Sequence, residues 1–221
     1  DIPDKVFKTI MVDLSPKQKT AMINLKNNLT IFTEDGFISY ENKSVIFGKA
    51  RQIVGGGVKV GVAKEDLDGC DSKEYKVEWI DKRSPRLQAL LDSIADHDDQ
   101  AIIWSIYSHE IDMLMEALSP YGKCVQYDGR NVDSREDGKR LFKSGEARFF
   151  IGNSMAGAFG LNLQNCHIQY FYNAPTSPTI LAQVIDRTNR PGQKYECIYV
   201  YIYARRSIDT RVASLIEAGM D

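Results

Sequence analysis

The sequence predicts an α/β fold: an open parallel sheet with helices on both faces, plus a small helical protrusion near the amino end. Three observations lead there. From residue 84 onward, short apolar runs alternate with amphipathic stretches; the runs are nearly continuous, as in strands buried on both faces; and residues 1–83 break that rhythm with two helical stretches and a glycine-rich, charged segment. A chain of 221 residues with 43% apolar and 26% charged residues has enough core material to fold, and its length fits one large domain or two modest ones. The expected division is a helical protrusion with a hairpin or loop insertion over 1–83, and a sheet domain over 84–221.

Each element has a local signal. Ser15-Pro16 starts a helix expected to run through about Phe32, with Met22, Leu25 and Leu29 on one face, and a second helical stretch covers about 42–54. Gly55-Gly56-Gly57 opens a charged segment with strand-like alternation over Tyr75–Ile80. No helix bearing Lys-Ser/Thr follows these glycines, so they read as a flexible turn rather than a phosphate loop. Ser84-Pro85 caps a helix striped by Leu87, Leu90, Leu91 and Ile94, and AIIWSIY (101–107) is a buried strand. Ser108 caps the next helix, with Ile111, Leu114, Met115 and Leu118 inward, which Pro120 and Gly122 stop. Then come strand 123–129, helix 134–145, strands 147–153 and 167–173, helix 177–190, strand 196–204 and helix 207–219. Such succession demands parallel pairing with right-handed crossovers.

Composition excludes several function classes. With 28 Lys+Arg against 30 Asp+Glu, the net charge is −2, so nucleic-acid binding must come from a local patch. No apolar run approaches the roughly 20 residues that span a bilayer, and no membrane partner is expected. Cys70, Cys124, Cys166 and Cys197 stand far apart with no CxxC, which disfavours zinc and fits reduced thiols in an intracellular protein. His97, His109 and His167 are scattered and read as surface or helix-end residues. GxxxxGK[ST], GxSxG and HExxH are all missing from the sequence, so no complete active site is present and no metal site is expected.

Residues 151–193 carry the chemistry. Ser154, Ala156, Gly157, Ala158 and Gly160 follow a buried strand and form a small-residue loop at its carboxyl end, where open sheets bind ligands; Asn162 adds a side-chain amide. In QVIDRTNRPGQ (183–193), Gln183, Asp186, Arg187 and Arg190 lie at offsets of three, four and seven, which on a helix is one face. Two arginines one turn apart make a fork array suited to phosphate oxygens, and Pro191-Gly192 ends the helix. A solvated face with an Asp–Arg pair is the plain alternative.

At these residues the sequence resembles a known family. QVIDRTNRPGQ is similar to the QxxDRxxRxGQ motif of Swi/Snf-type ATPases in helicase superfamily two, and AGAFGLNLQNCHIQYFYNAP resembles the GLNL motif and strand before it. AIIWSIYSHEIDMLMEAL is similar to the motif opening the second RecA-like lobe; YDGRNVDSREDGKRLF resembles the pattern carrying Asp128, Gly129, Arg135 and Phe142; SIDTRVASLI resembles the closing helix and LSPKQKTAMINL the segment preceding the lobe. Ala158 stands where the family usually has glycine, Thr188-Asn189 replaces Ala-His, and Pro191 replaces a hydrophobe.

The resemblance implies the C-terminal RecA-like motor lobe of a DNA-dependent ATPase or translocase. It implies ATP with Mg²⁺ held mainly by a first, N-terminal RecA-like lobe outside this sequence. Arg187 and Arg190 would be the catalytic arginine fingers, with Gln183, Gly160 and Asp186 at the nucleotide. Ser105, Gly129, Arg130, Asn153, Ser154 and Asn162 would contact the phosphate backbone of double-stranded DNA. The lobe alone would bind duplex DNA weakly and hydrolyse no ATP. A compact helical region without long insertions points toward a bacterial or phage source, hence cytoplasm or nucleoid, with the nucleus as the eukaryotic equivalent. The alternative is a non-catalytic RecA-like DNA- or protein-interaction module; a small-molecule nucleotide transferase ranks last, because WSIYSHE is no phosphate loop.

Overall fold

A computed structural model describes residues 2–33, 36–42, 45–65, 71–130, 132–158 and 160–218. The order is β1 (Lys5–Val12), α1 (Pro16–Asn28), β2 (Thr30–Thr33), β3 (Gly36–Ser39), α2 (Val45–Gly55), β4 (Gly57–Glu65), β5 (Asp71–Trp79), α3 (Pro85–Ala95), β6 (Ala101–Ser105), α4 (Ser108–Leu118), β7 (Cys124–Tyr127), α5 (Arg135–Lys143), β8 (Phe149–Asn153), α6 (Ser154–Gly157), β9 (Ile168–Phe171), α7 (Pro178–Ile185), β10 (Cys197–Ala204) and α8 (Ile208–Glu217).

Among the described residues six strands form one sheet in the order β1-β10-β9-β6-β8-β7, every pair parallel. Alternation along the strands makes two cores. Trp104, Phe150, Phe171 and Tyr199 face α5, α7 and α8 through Phe142, Val184 and Val212. Ile103, Phe149, Tyr170 and Ile202 face α3 and α4 through Leu90 and Leu114. This is the doubly covered parallel sheet that the alternation predicts, and it agrees with the RecA-like lobe that the resemblance implies. No helix among the described residues is long and apolar enough to cross a membrane.

Four features differ from the expectation. The strand Lys5–Val12, grouped with the protrusion in the 1–83 division, is an edge strand of the main sheet, in register from Lys5 opposite Cys197 to Val12 opposite Ala204. The helix expected to reach Phe32 stops at Asn28, where Leu29 turns left-handed (φ 53°). The β-branched run Thr30-Ile31-Phe32-Thr33 instead pairs antiparallel with Gly36–Ser39. Ser108 does not cap α4; Tyr107 holds that position without a side-chain bond, and Ser105 Oγ accepts from the Tyr107 amide at 3.2 Å.

The fourth difference is the glycine triplet, which is no flexible turn. Gly56 sits at φ +112°, and a Cβ there would lie 2.7 Å from the Asp81 carbonyl. A Cβ on Gly55 would overlap the Glu110 carboxylate, and one on Gly57 would lie 2.6 Å from the Trp79 ring. All three carbonyls are taken. Tyr172 Oη donates to Gly55 O (2.6 Å), Asp81 N to Gly56 O (2.9 Å) and His109 Nε2 to Gly57 O (3.0 Å). His109 is therefore a helix-end residue, as one of its two expected readings has it, but buried as a link between lobe and protrusion rather than at the surface. Cys166 and Cys197 are buried and Cys124 half-buried, all three as free thiols; Cys70 lies outside the described residues.

Candidate nucleotide and nucleic-acid site

The chemistry-bearing segments divide between the two edges of the sheet. Asp128-Gly129-Arg130 and Asn153 follow β7 and β8 at the carboxyl edge. The arginine segment lies at the opposite edge: Asn189 Nδ2 donates to Pro3 O (2.8 Å), Lys5 Nζ pairs with Asp186 (3.0 Å), and Gln193 Nε2 donates to Cys166 O (3.0 Å), just ahead of β9.

The four motif residues do not share one long helix. α7 ends at Ile185, five residues before the expected stop at Arg190, and the chain tightens into turns, with Arg187 N bonded to Val184 O (3.1 Å) and Thr188 N to Ile185 O (3.4 Å). The buried Gln169 side chain on β9 causes this. Its Nε2 lies 3.3 Å from both Val184 O and Ile185 O and 2.8 Å from Thr188 Oγ1, so it occupies the carbonyls where another turn would form.

Arg187 is a clamp. Its Nε donates to Gln183 O (2.7 Å), Nη1 to Leu161 O (3.1 Å) and Nη2 to Ala158 O (2.7 Å), and Leu163 N returns a bond to Arg187 O (3.0 Å). Burial, reinforced by Arg190, lowers its pKa from the ordinary arginine value. Gln193 adds a second clamp through Gln164 O and Thr188 O (3.1 and 3.3 Å). Arg190 differs. Among the described residues its one hydrogen bond runs from Nε to Asp186 O (2.8 Å), which leaves four of five guanidinium N–H groups uncommitted to them, on a half-exposed side chain. Gln183 Oε1 and Ser154 Oγ are buried without a hydrogen-bond partner. Gly160 is exposed with φ +70°.

At the carboxyl edge Gly129 is exposed, whereas Arg130 is spent on carboxylates. It forks onto Asp112 (both bonds 2.8 Å) and also bonds Asp128 (2.9 and 2.5 Å); hydrogen bonds to Asp112 first, then Asp128, raise its pKa. Arg135 donates from Nε to Asp128 O (2.9 Å) and lies 4.9 Å over the Tyr127 ring. Asn153 caps α6, accepting from Met155 N (2.9 Å) and donating to Ile106 O (3.2 Å), and Asn162 is exposed.

Ser105 and Ser154, expected at the DNA backbone, both have fully buried side chains. Ser105 instead donates to Glu110, whose other carboxylate oxygen accepts from Asn173 Nδ2 (3.1 Å). Arg51 of the protrusion bonds Asn173 Oδ1 and Ala174 O in the same cluster. Burial pushes the Glu110 carboxyl up to about 7. Nothing in the sequence around Gln169, Trp104 or Glu110 marks these residues, because their partners are distant in the chain.

Comparison with known proteins now decides the family. Residues 84–192 match the helicase conserved C-terminal domain family. The segment is a helicase C-terminal lobe. ATP-dependent helicase fft3 of Schizosaccharomyces pombe is 27% identical to this chain over 144 residues, 63% of the chain and 16% of that protein. The chromatin-remodeling ATPase INO80 of Neurospora crassa is 25% identical over 130 residues, 58% of the chain and 6% of that protein. In fold, the crystal structure of the C-terminal part of the Fun30 ATPase domain superposes with a TM-score of 0.71, covering 98% of this chain and 90% of that one at 16% identity. The resemblance to a Swi/Snf-type second lobe therefore stands. The helicase lobe and its protrusion span at most 16% of the length of these relatives. The expectation of a bacterial or phage source gains no support from relatives that are fungal.

Among the described residues, no group of three or more His, Cys, Asp or Glu could hold a metal ion. The Nη groups of Arg190 are planar donors with no hydrogen bond to the described residues, a geometry that matches phosphate oxygens.

Proposed function

We propose that this chain is the second motor lobe of an ATP-dependent DNA translocase, completing a nucleotide site on a first RecA-like lobe. The observation that carries this reading is Arg190, a guanidinium fixed by one backbone carbonyl and otherwise unspent. ATP with its Mg²⁺ supplies the phosphoanhydride to be cleaved, and both are held chiefly by the first lobe. Arg190 presents its Nη donors to charge developing on the phosphoryl oxygens, a contribution worth roughly 10³–10⁵ in rate. Arg187 holds the Ala158–Leu161 loop against the arginine turn and keeps two N–H groups for the same phosphates. Gln183 stands one turn before Arg187 and takes Arg187 Nε on its backbone carbonyl, placing the motif at the nucleotide; Asp186 orients Arg190 through its carbonyl, and Gly160 leaves its backbone open.

DNA contact falls to the exposed Gly129 and the half-buried Asn153 at the opposite edge and to the exposed Asn162 beside the arginine turn, all of them phosphate-type contacts that position without reading sequence. Arg130 serves that face by shaping its loop. The test is DNA-stimulated ATP hydrolysis by the lobe joined to its first lobe. Arg190→Ala should lower hydrolysis at least about 10³-fold while leaving duplex DNA binding within about twofold. Unchanged hydrolysis would overturn the finger assignment in favour of a non-catalytic interaction module.

A further inference from the structure

We infer that Trp104 and Gln169 are positioning residues for the arginine turn, closing a ring of contacts that ends α7 early and sets the directions of Arg187 and Arg190. The inference rests on the proposed nucleotide role of those arginines and adds the device that aims them.

Four buried side chains make one polar chain through an otherwise apolar core. Trp104 Nε1 donates to Gln169 Oε1 at 2.7 Å. An indole nitrogen can only donate, so the amide orientation of Gln169 is determined and its Nε2 must point to the end of α7. There it reaches Thr188 Oγ1 (2.8 Å) and the carbonyls of Val184 and Ile185. Thr188 Oγ1 lies 3.2 Å from Tyr199 Oη, which donates to Ile185 O (3.1 Å). All four side chains are fully buried, where an unmet polar group costs roughly 1–3 kcal/mol, so the four hold together or fail together.

The ring closes through the glycine loop. A Cβ on Gly157 would overlap the six-membered ring of Trp104, and one on Gly152 would lie 2.9 Å from it, so the indole is wedged under the start of the loop. Gly157 leads to Ala158, whose carbonyl receives Arg187 Nη2 (2.7 Å). The path therefore runs from Trp104 through Gln169 to Thr188, across one peptide to Arg187, then to Ala158 and back to Trp104. Shifting any member moves the arginine turn and the glycine loop together. Thr188 is one of the positions where this chain departs from the Ala of its family's motif, and a buried hydroxyl there needs the partners that Gln169 and Tyr199 provide.

Two measurements test this with Gln169→Leu, which keeps the volume and removes the polar groups, and with Thr188→Ala and Thr188→Ser. In the 221-residue chain, the Nε–H of Arg187 and Arg190, held on Gln183 O and Asp186 O, should exchange slowly by NMR and become at least about tenfold faster in Gln169→Leu. With the first lobe joined, Gln169→Leu should lower kcat of DNA-stimulated hydrolysis about 10- to 100-fold with KM for ATP within about threefold, as a displacement near 1 Å does. Thr188→Ala should follow at smaller size and Thr188→Ser should restore both readouts; its small volume change keeps the test alive if Gln169→Leu does not fold. Unaltered arginine exchange and unaltered kcat in a folded Gln169→Leu or Thr188→Ala, with only a lower Tm, would make the network mere core filling and overturn the inference. If Arg190→Ala leaves hydrolysis intact, the finger reading falls on its own, and the exchange measurement still decides whether the network positions the turn.

Discussion

The arginine turn at 186–193 and the turn at Asp128–Arg130 both hold arginines by hydrogen bonds, but their acceptors differ. In the first, Arg187 and Arg190 donate to carbonyls, which carry no net charge, so both guanidinium charges survive for an anion. In the second, Arg130 lies between Asp112 and Asp128 and its charge is cancelled where it stands. Two loops of similar composition thus have opposite electrostatic character. A guanidinium anchored by carbonyls is held ready for phosphate; one anchored by carboxylates is a structural tie.

Substitutions can break or sharpen this contrast. The largest effect should come from Arg190→Ala, the loss in DNA-stimulated hydrolysis given above. Arg187→Ala should match it in hydrolysis and differ in stability: losing three charge-assisted bonds costs about 2 kcal/mol, read as a fall in Tm of about 4–8 °C that Arg190→Ala does not show. An equal Tm in both variants would dissolve the distinction between clamp and finger.

A pH effect of comparable size belongs to Glu110. Burial raises its carboxyl from 4.5 to about 7, against the opposing bond from Ser105 and the charge of Arg86. A carboxyl raised in the folded state stabilises fully below its unfolded pKa, and that contribution is lost as pH climbs through about 7. Stability should therefore decline from pH 5 to pH 8 by something on the order of 3 kcal/mol, and Glu110→Gln should flatten the profile. A wild-type Tm that rises over the same interval would contradict the buried, protonation-sensitive carboxyl. The smallest effect should be Arg130→Ala on duplex binding: affinity within about threefold and a salt slope changed by well under one, since no free charge is removed. A slope reduced by a full unit would return Arg130 to the DNA face.

Most of the sheet domain was legible because most strands are nearly unbroken apolar runs, and Ser84 caps α3 by accepting from Leu87 N, as its position foretells. The failures share a cause. Lys5–Val12 alternates charge and hydrophobe because it is an edge strand, so its membership depends on β10, nearly two hundred residues away. The end of α7 depends on Gln169, and the rigidity of Gly55–Gly57 on Glu110, Asp81 and Trp79. At the site, the two arginines were legible as a pair, but the difference between them was not, since the carbonyls of Ala158 and Leu161 cannot be seen in a motif. The burial of Ser105 and Ser154 was illegible for a related reason: proximity to a strand end does not reveal which side of the backbone a hydroxyl occupies.

The packed glycine triplet has a mechanical corollary. A swivel needs empty room around its axle, and here Glu110, Asp81, Trp79, Tyr172 and His109 fill that room from every quarter. The protrusion is therefore held to the lobe at this triplet by close packing and three hydrogen bonds rather than by a loose tether.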